Sequence, residues 1–347
     1  MYRESSNRSA PPVATVLPAP SLSPPSARQV HIPASDGYLL QGQFWPAVMS
    51  PPAGPPSPEL RPVVVINPAT SVAARYYHRF ARFLQQQGMD VLSWDYRGIG
   101  QSRPASLRGF EAGWLVWGER DFEGVLQWLQ QHCPGQPVDV VGHSAGGFIS
   151  GLAASTTCLR RVCTVAAQLG YWADFEPARR WRMAARWQLA MPLLTAVCGY
   201  FPGQRLGWLE DTPSGVVQDW TQRMRRYEKA WDQGGPPSLM AERAALVART
   251  TRLTAPMLAI SLEDDAFGTV PAIERLLGYF PDSPRIHVRL APQAIGATEI
   301  GHFAFFHSRF EHTLWPLAVA WLQSGRLSGS EPWTRTDLPA AASSAAL

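Results

Sequence analysis

Apolar positions in this chain fall into two alternating rhythms. Val63-Val64-Val65-Ile66 is an unbroken β-branched run, the pattern of a strand buried on both faces. Beyond it, Tyr77, Phe80, Ala81 and Leu84 fall at i, i+3, i+4 and i+7, one apolar helical stripe that Gly88 ends. Met89 to Trp94 is the next strand. Phe122, Val125, Leu126 and Leu129 then repeat the helical spacing before Pro134-Gly135. Val138 to Val141, Val162 to Ala166, Pro256 to Ser261 and Ile286 to Leu290 continue the strands. Ahead of them, Gln29 to Ile32 and Tyr38 to Phe44 flank Asp36-Gly37, the pattern of a hairpin. The pattern predicts an α/β fold with a mostly parallel eight-stranded sheet flanked by helices.

The rhythm breaks between residues 170 and 252. No good strand is legible there, but Trp, Arg and Met recur at helical spacing. An insertion of this size after the sixth strand predicts a helical cap over the strand ends, leaving residues 28–169 and 253–325 as the core. Residues 1–27 and 326–347, rich in Ser, Pro and Ala, read as disordered tails, and Pro46 to Pro62 as a proline-rich loop.

Composition narrows the classes of function. Hydrophobic residues make up 46% of the 347 and charged residues 17%, which suits a buried core rather than a disordered polymer. The net charge is only +4, and no Lys/Arg run marks a nucleic-acid surface. Lys229 is the single lysine among 31 basic residues. Cys133, Cys158, Cys163 and Cys198 form no C-x-x-C pair, so neither a disulfide framework nor a zinc site is expected. No segment reads as a signal peptide or a transmembrane helix, and a cytoplasmic setting is expected.

The candidate chemistry starts at Gly142-His143-Ser144-Ala145-Gly146. A G-x-S-x-G pentamer alone arises by chance in about one chain in ten of this length. Here a strand runs directly into it and a small-residue helix leaves it, the strand–turn–helix that exposes a serine hydroxyl on a strained elbow. Such a serine needs a base and an orienting acid. Four of the eight histidines precede Ser144, and His287 lies within the last strand. His302 follows that strand in Ile300-Gly301-His302-Phe303, where a loop can carry it over the sheet edge; His307 and His312 read as ordinary surface or core histidines. For the acid, Asp265 follows the Pro256–Ser261 strand, with Asp264 as the alternative. An oxyanion hole needs two N–H groups. Ala145 would supply one. The other is assigned to Ala69, with Thr70 as alternative, because Pro68 has no N–H.

Asp95-Tyr96-Arg97-Gly98-Ile99-Gly100-Gln101-Ser102 resembles the D-x-R-G-x-G-x-S turn of α/β-hydrolases, including the serine-aminopeptidase-like branch. Asn67-Pro68-Ala69-Thr70, Gly142 to Gly147, Gly199-Tyr200-Phe201-Pro202-Gly203, Asp264-Asp265 and Ile300 to Phe303 are similar to a group of bacterial α/β-hydrolases of unassigned function. Most of the wider superfamily carries His-Gly at Asn67-Pro68. The resemblance runs from about Val30 to Leu322 and implies an α/β-hydrolase fold, with Asp95 and Arg97 stabilising their turn.

The function expected is hydrolysis of an ester, thioester or small amide through an acyl-enzyme, without cofactor or metal. The substrate expected is a small, hydrophobic acyl compound. An acyltransferase with the same triad and a non-catalytic binding protein on this scaffold are the alternatives. In the cap, Arg179, Arg180, Arg182, Arg186, Arg223, Arg225 and Arg226 read as the wet face of amphipathic helices. Recognition of an anionic substrate group or loose contact with an anionic membrane surface are the other readings.

Overall fold

The computed structural model describes residues 25–48, 61–221, 224–229, 237–327 and 333–341. The tail 1–24, most of the proline-rich loop, and Arg223 lie outside them. The chain opens with the expected hairpin, β1 (Arg28–Pro33) and β2 (Leu39–Trp45), paired antiparallel around Asp36-Gly37. Five of the six parallel-sheet strands, with their helices, follow the alternation read from the sequence: β3 (Val63–Asn67), β4 (Asp90–Trp94), β5 (Val138–His143), β6 (Leu159–Val165) and, after the insertion, β9 (Met257–Leu262). The helices joining them are α1 (His78–Gln86), the short α2 (Trp114–Val116), α3 (Glu123–His132) and α4 (Ala145–Ile149). Helix α9 (Val270–Leu277), β10 (Arg285–Leu290), α10 (Trp315–Ser324) and β11 (Trp333–Leu338) complete the order.

The sheet has nine strands in the order β1-β2-β4-β3-β5-β6-β9-β10-β11, parallel from β4 to β10. That is one more than the eight expected. The ninth, β11, pairs antiparallel with β10 and lies in the segment expected to be a disordered tail. Its Trp-Thr-Arg-Thr-Asp-Leu sequence is mostly exposed, because an edge strand needs no apolar face to bond its one neighbour. Hydrophobic patterning therefore could not reveal it.

Burial alternates along the central strands as their two-residue period requires. Val63 and Val65 pack with Trp117, Phe122 and Leu126 on one face, while Val64 and Ile66 pack with Phe80, Leu84 and Trp321 on the other. Between β6 and β9 the chain makes α5 (Arg180–Ala184), a π-helical turn over Ala185–Ala190, α6 (Met191–Cys198), α7 (Ser214–Trp220) and α8 (Pro237–Ala248). Two two-residue strands, β7 (Tyr200–Phe201) and β8 (Thr212–Pro213), pair within this segment. They are too short to register in the sequence pattern. No helix among the described residues is long and apolar enough to cross a membrane.

Candidate active site

Ser144 sits where β5 turns into α4, at φ +52° and ψ −124°. A non-glycine residue holds such a backbone only where its surroundings enforce it. The surroundings here are backbone against backbone. A Cβ on Gly146 would lie 2.2 Å from the Asn67 carbonyl oxygen, and one on Gly142 would lie 2.8 Å from Gly147 Cα. The two glycines of the pentamer are thus required by the sharpness of the elbow. Asn67, at the end of β3, secures the approach from the other side: its side chain donates to Ser150 Oγ at 2.9 Å and accepts from Trp94 Nε1 at 3.1 Å.

Two loops at the same ends of the sheet meet this elbow. After β9, Asp265 accepts hydrogen bonds from the Phe267 N–H at 2.8 Å and the His302 Nδ1–H at 2.8 Å. His302 Nε2 is then left to accept the Ser144 hydroxyl at 3.0 Å. Burial works to raise the Asp265 pKa, but the neighbouring His302 and the Gly268 and Phe267 N–H groups outweigh it and hold it below the usual carboxylate range. The carboxyl is therefore ionised beside the imidazole.

Asp264, the alternative acid, points elsewhere. Its Oδ2 accepts the Ile300 and Gly301 N–H groups at 2.7 and 2.9 Å, fixing the loop that carries His302. One carboxylate faces the histidine ring and its neighbour holds the backbone of the two residues before the histidine. The Asp95 and Arg97 turn also takes its expected form: Asp95 accepts Ala74 and Gln101 N–H groups, and Arg97 pairs with Asp36 and Asp121.

His143 and Tyr77, which position in the sequence did not single out, join this loop to the one after β3. His143 Nε2 donates to the His302 carbonyl at 2.9 Å, so Nδ1 of the neutral ring must accept. Tyr77 donates to that Nδ1 at 2.7 Å, and the Tyr77 oxygen in turn accepts the Ala69 N–H at 2.9 Å. Complete burial, with a smaller contribution from the neighbouring His302, pushes the His143 pKa down to about 3, so the ring is neutral, as these bonds require. The Ala69 N–H, expected to face the oxyanion, is engaged here by a buried hydroxyl. Thr70, next in line, has a buried hydroxyl without a partner, and its N–H meets no acceptor among the described residues. Tyr77→Phe leaves both Ala69 N–H and His143 Nδ1 unpaired. It is expected to cost about 1–3 kcal/mol of stability, read as a fall in Tm; an unchanged Tm would show that the link does not hold.

A family model described as serine aminopeptidase, S33, matches residues 58–283, about two-thirds of the chain. The chain belongs to the serine aminopeptidase S33 family. It is an α/β-fold serine hydrolase. Ser144 and Asp265 fall inside the matched stretch, and His302 lies beyond it.

Solved structures agree on the fold. A soluble variant of monoglyceride lipase from Saccharomyces cerevisiae superposes with a TM-score of 0.59 at 14% identity, covering 89% of this chain and 97% of that one. The α/β hydrolase GrgF from Penicillium sp. sh18 gives 0.50 at 16%, covering 86% and 98%. Puromycin hydrolase gives 0.52 at 18% and covers 89% of this chain; the S33 hydrolase spans only 40% of the length of that protein. A search of curated protein sequences finds no match.

The segment inserted in this S33 hydrolase lines a cavity of about 260 Å³ beside His302. Trp187, Trp208 and Trp220 from that segment line it, with Phe267, Phe303 and His302 from the core. The rings pack on one another: Trp187 and Trp220 stack at 4.8 Å, and Phe267 lies 5.1 Å from the His302 ring. A second cavity of about 410 Å³ shares Trp208, Leu209 and Phe303 as a wall. Gln168, just after β6, lines the first cavity and donates to Ser144 Oγ at 3.4 Å; no motif marked it in the sequence. Of the arginines read from the segment, Arg186 reaches this cavity, its guanidinium 3.7 Å from the centre of the Trp208 ring.

Proposed function

We propose that this S33 hydrolase cleaves apolar esters, thioesters or small amides by acyl transfer to Ser144. The observation that carries this reading is the line Ser144–His302–Asp265, joined at 3.0 and 2.8 Å with an ionised carboxylate at its far end. His302 takes the serine proton as Oγ attacks the carbonyl carbon and returns it to the leaving group, while Asp265 holds the ring and stabilises its charged form. Water, deprotonated by the same imidazole, then releases the acyl group.

The Ala145 N–H suits the developing oxyanion, because the first residue of α4 has no intrahelical acceptor. Thr70 supplies the second donor in this reading, in place of Ala69. The inserted segment acts as a cap, and the aromatic walls of both cavities favour an uncharged acyl group and leaving group.

A fluorophosphonate probe is expected to label Ser144 in the folded protein, and absence of the adduct would sink the reading. In a panel of p-nitrophenyl esters, kcat/KM is expected to rise about fourfold per added methylene until the cavity is full, since each buried CH₂ is worth about 0.8 kcal/mol. A flat profile would remove the apolar-substrate assignment. Competition by added alcohols or thiols in the same assay separates hydrolysis from transfer to such an acceptor.

A further inference from the structure

Helices α5 and α6 and the π turn between them form one rod from Arg180 to Cys198. Trp181, Leu189, Leu193 and Val197 on it are 74%, 58%, 57% and 81% exposed. With the exposed Ala185 they stand four residues apart throughout. An uninterrupted α-helix would carry a four-residue stripe gradually round its axis. The π turn, with its i→i+5 bonding, winds more residues per turn and offsets that drift. The result is a continuous apolar ridge of large side chains facing water, which a soluble surface rarely keeps without a use.

The stretch of chain that bears the ridge carries charge of one sign. From residue 177 to residue 209 the chain carries Arg179, Arg180, Arg182, Arg186 and Arg205 and no Asp or Glu. Arg179 meets Glu176 across an exposed contact at 3.2 Å, and Arg180 leans on the Phe175 carbonyl. Arg182 and Arg186 are exposed and meet no carboxylate among the described residues. Two copies of this face would set arginine against arginine with no acid between them. An anionic lipid surface suits both features, apolar side chains entering the acyl boundary and guanidinium groups meeting headgroup phosphates. Arg186 and the adjoining Trp187 also line the cavity beside His302, so contact along the ridge brings the surface next to that cavity.

We infer that the ridge Trp181–Leu189–Leu193–Val197 docks this hydrolase on anionic lipid surfaces. The docking does not depend on the catalytic reading of Ser144, and its test reads binding rather than turnover. The full chain is sedimented with vesicles of phosphatidylcholine alone or with about 30 mol % phosphatidylglycerol. Binding is expected to the anionic vesicles and to weaken as salt rises from ~0.1 to ~1 M. Leu193→Asp and Val197→Asp, at exposed positions where folding is not at stake, are each expected to lower partitioning more than about tenfold. Arg182→Gln with Arg186→Gln is expected to lower it about 25-fold, at about fivefold per arginine. Leu239→Asp, an exposed apolar position on α8, is expected to bind as the parent does. No binding to the anionic vesicles, or binding that the ridge variants leave unchanged, overturns the inference. So does a dimer in gel filtration that Val197→Asp dissociates, since the ridge would then be an interface between copies.

Discussion

Ser144→Ala is expected to lower kcat on any ester substrate by about 10⁴-fold or more, with KM little changed. The hydroxyl is the atom that forms the acyl bond in the proposed mechanism, and no other nucleophile stands on the 3.0 Å contact with His302 Nε2. The fold should survive the change. What holds the elbow is the close backbone contact at Gly142 and Gly146, and the alanine variant would keep the backbone N–H bond that Ser144 makes to the Val165 carbonyl. Comparing kcat with Tm on one preparation therefore separates a chemical loss from a structural one. A variant that retains more than about a tenth of the parent rate would place the nucleophile elsewhere.

Asp265→Asn is expected to produce the second largest loss, about 10³- to 10⁴-fold in kcat. An amide at this position can present its N–H₂ to His302 Nδ1, which favours the tautomer with Nε2 protonated and unable to accept the serine proton. Asp264→Asn, one residue away, should cost far less activity, because the amide oxygen still accepts the Ile300 and Gly301 N–H groups. Asp264→Ala removes that acceptor, and is expected to lower Tm through about 1–3 kcal/mol and to lower kcat only through the loosened loop. Equal kcat losses in Asp265→Asn and Asp264→Asn would refute this division of roles.

Acid tests the Asp265 assignment further. The Asp265 pKa is depressed in the folded chain, so its stabilisation is complete above the ordinary value of 3.8 and is lost as pH falls through the lower folded value. The Asp265→Asn variant is expected to lack that part of the acid limb of a stability–pH curve.

How far the site could be read without the fold varies residue by residue. The elbow was legible because its geometry is local: a strand, a turn and a helix within about a dozen residues leave their mark as apolar runs and forced glycines. Asp265 and His302 were legible because each follows a strand whose burial writes an apolar run into the sequence. Tyr77, His143 and Gln168 were not. Their roles depend on which hydrogen-bond partner arrives from another loop, and a polar residue carries no periodic trace of that partner. His143 was set aside for preceding the serine, yet chain order has no bearing on a side chain that braces a carbonyl 159 residues away.

By itself the sequence determined the α/β-hydrolase class, the succession of main-sheet strands up to the last parallel one, and the serine and histidine that meet at 3.0 Å. These follow from hydrophobic burial and backbone sterics, which act within short stretches of chain. Only the tertiary structure decided that Ala69 faces Tyr77, that Asp264 and Asp265 divide their work, and that a polar edge strand closes the sheet. It also decided that the rod in the inserted segment turns an apolar ridge to the outside. Each of these is settled by the direction of a hydrogen bond or the side of a helix left uncovered. Such choices belong to the assembled layers, because directional bonds and exposed faces exist only once the distant partners are in place.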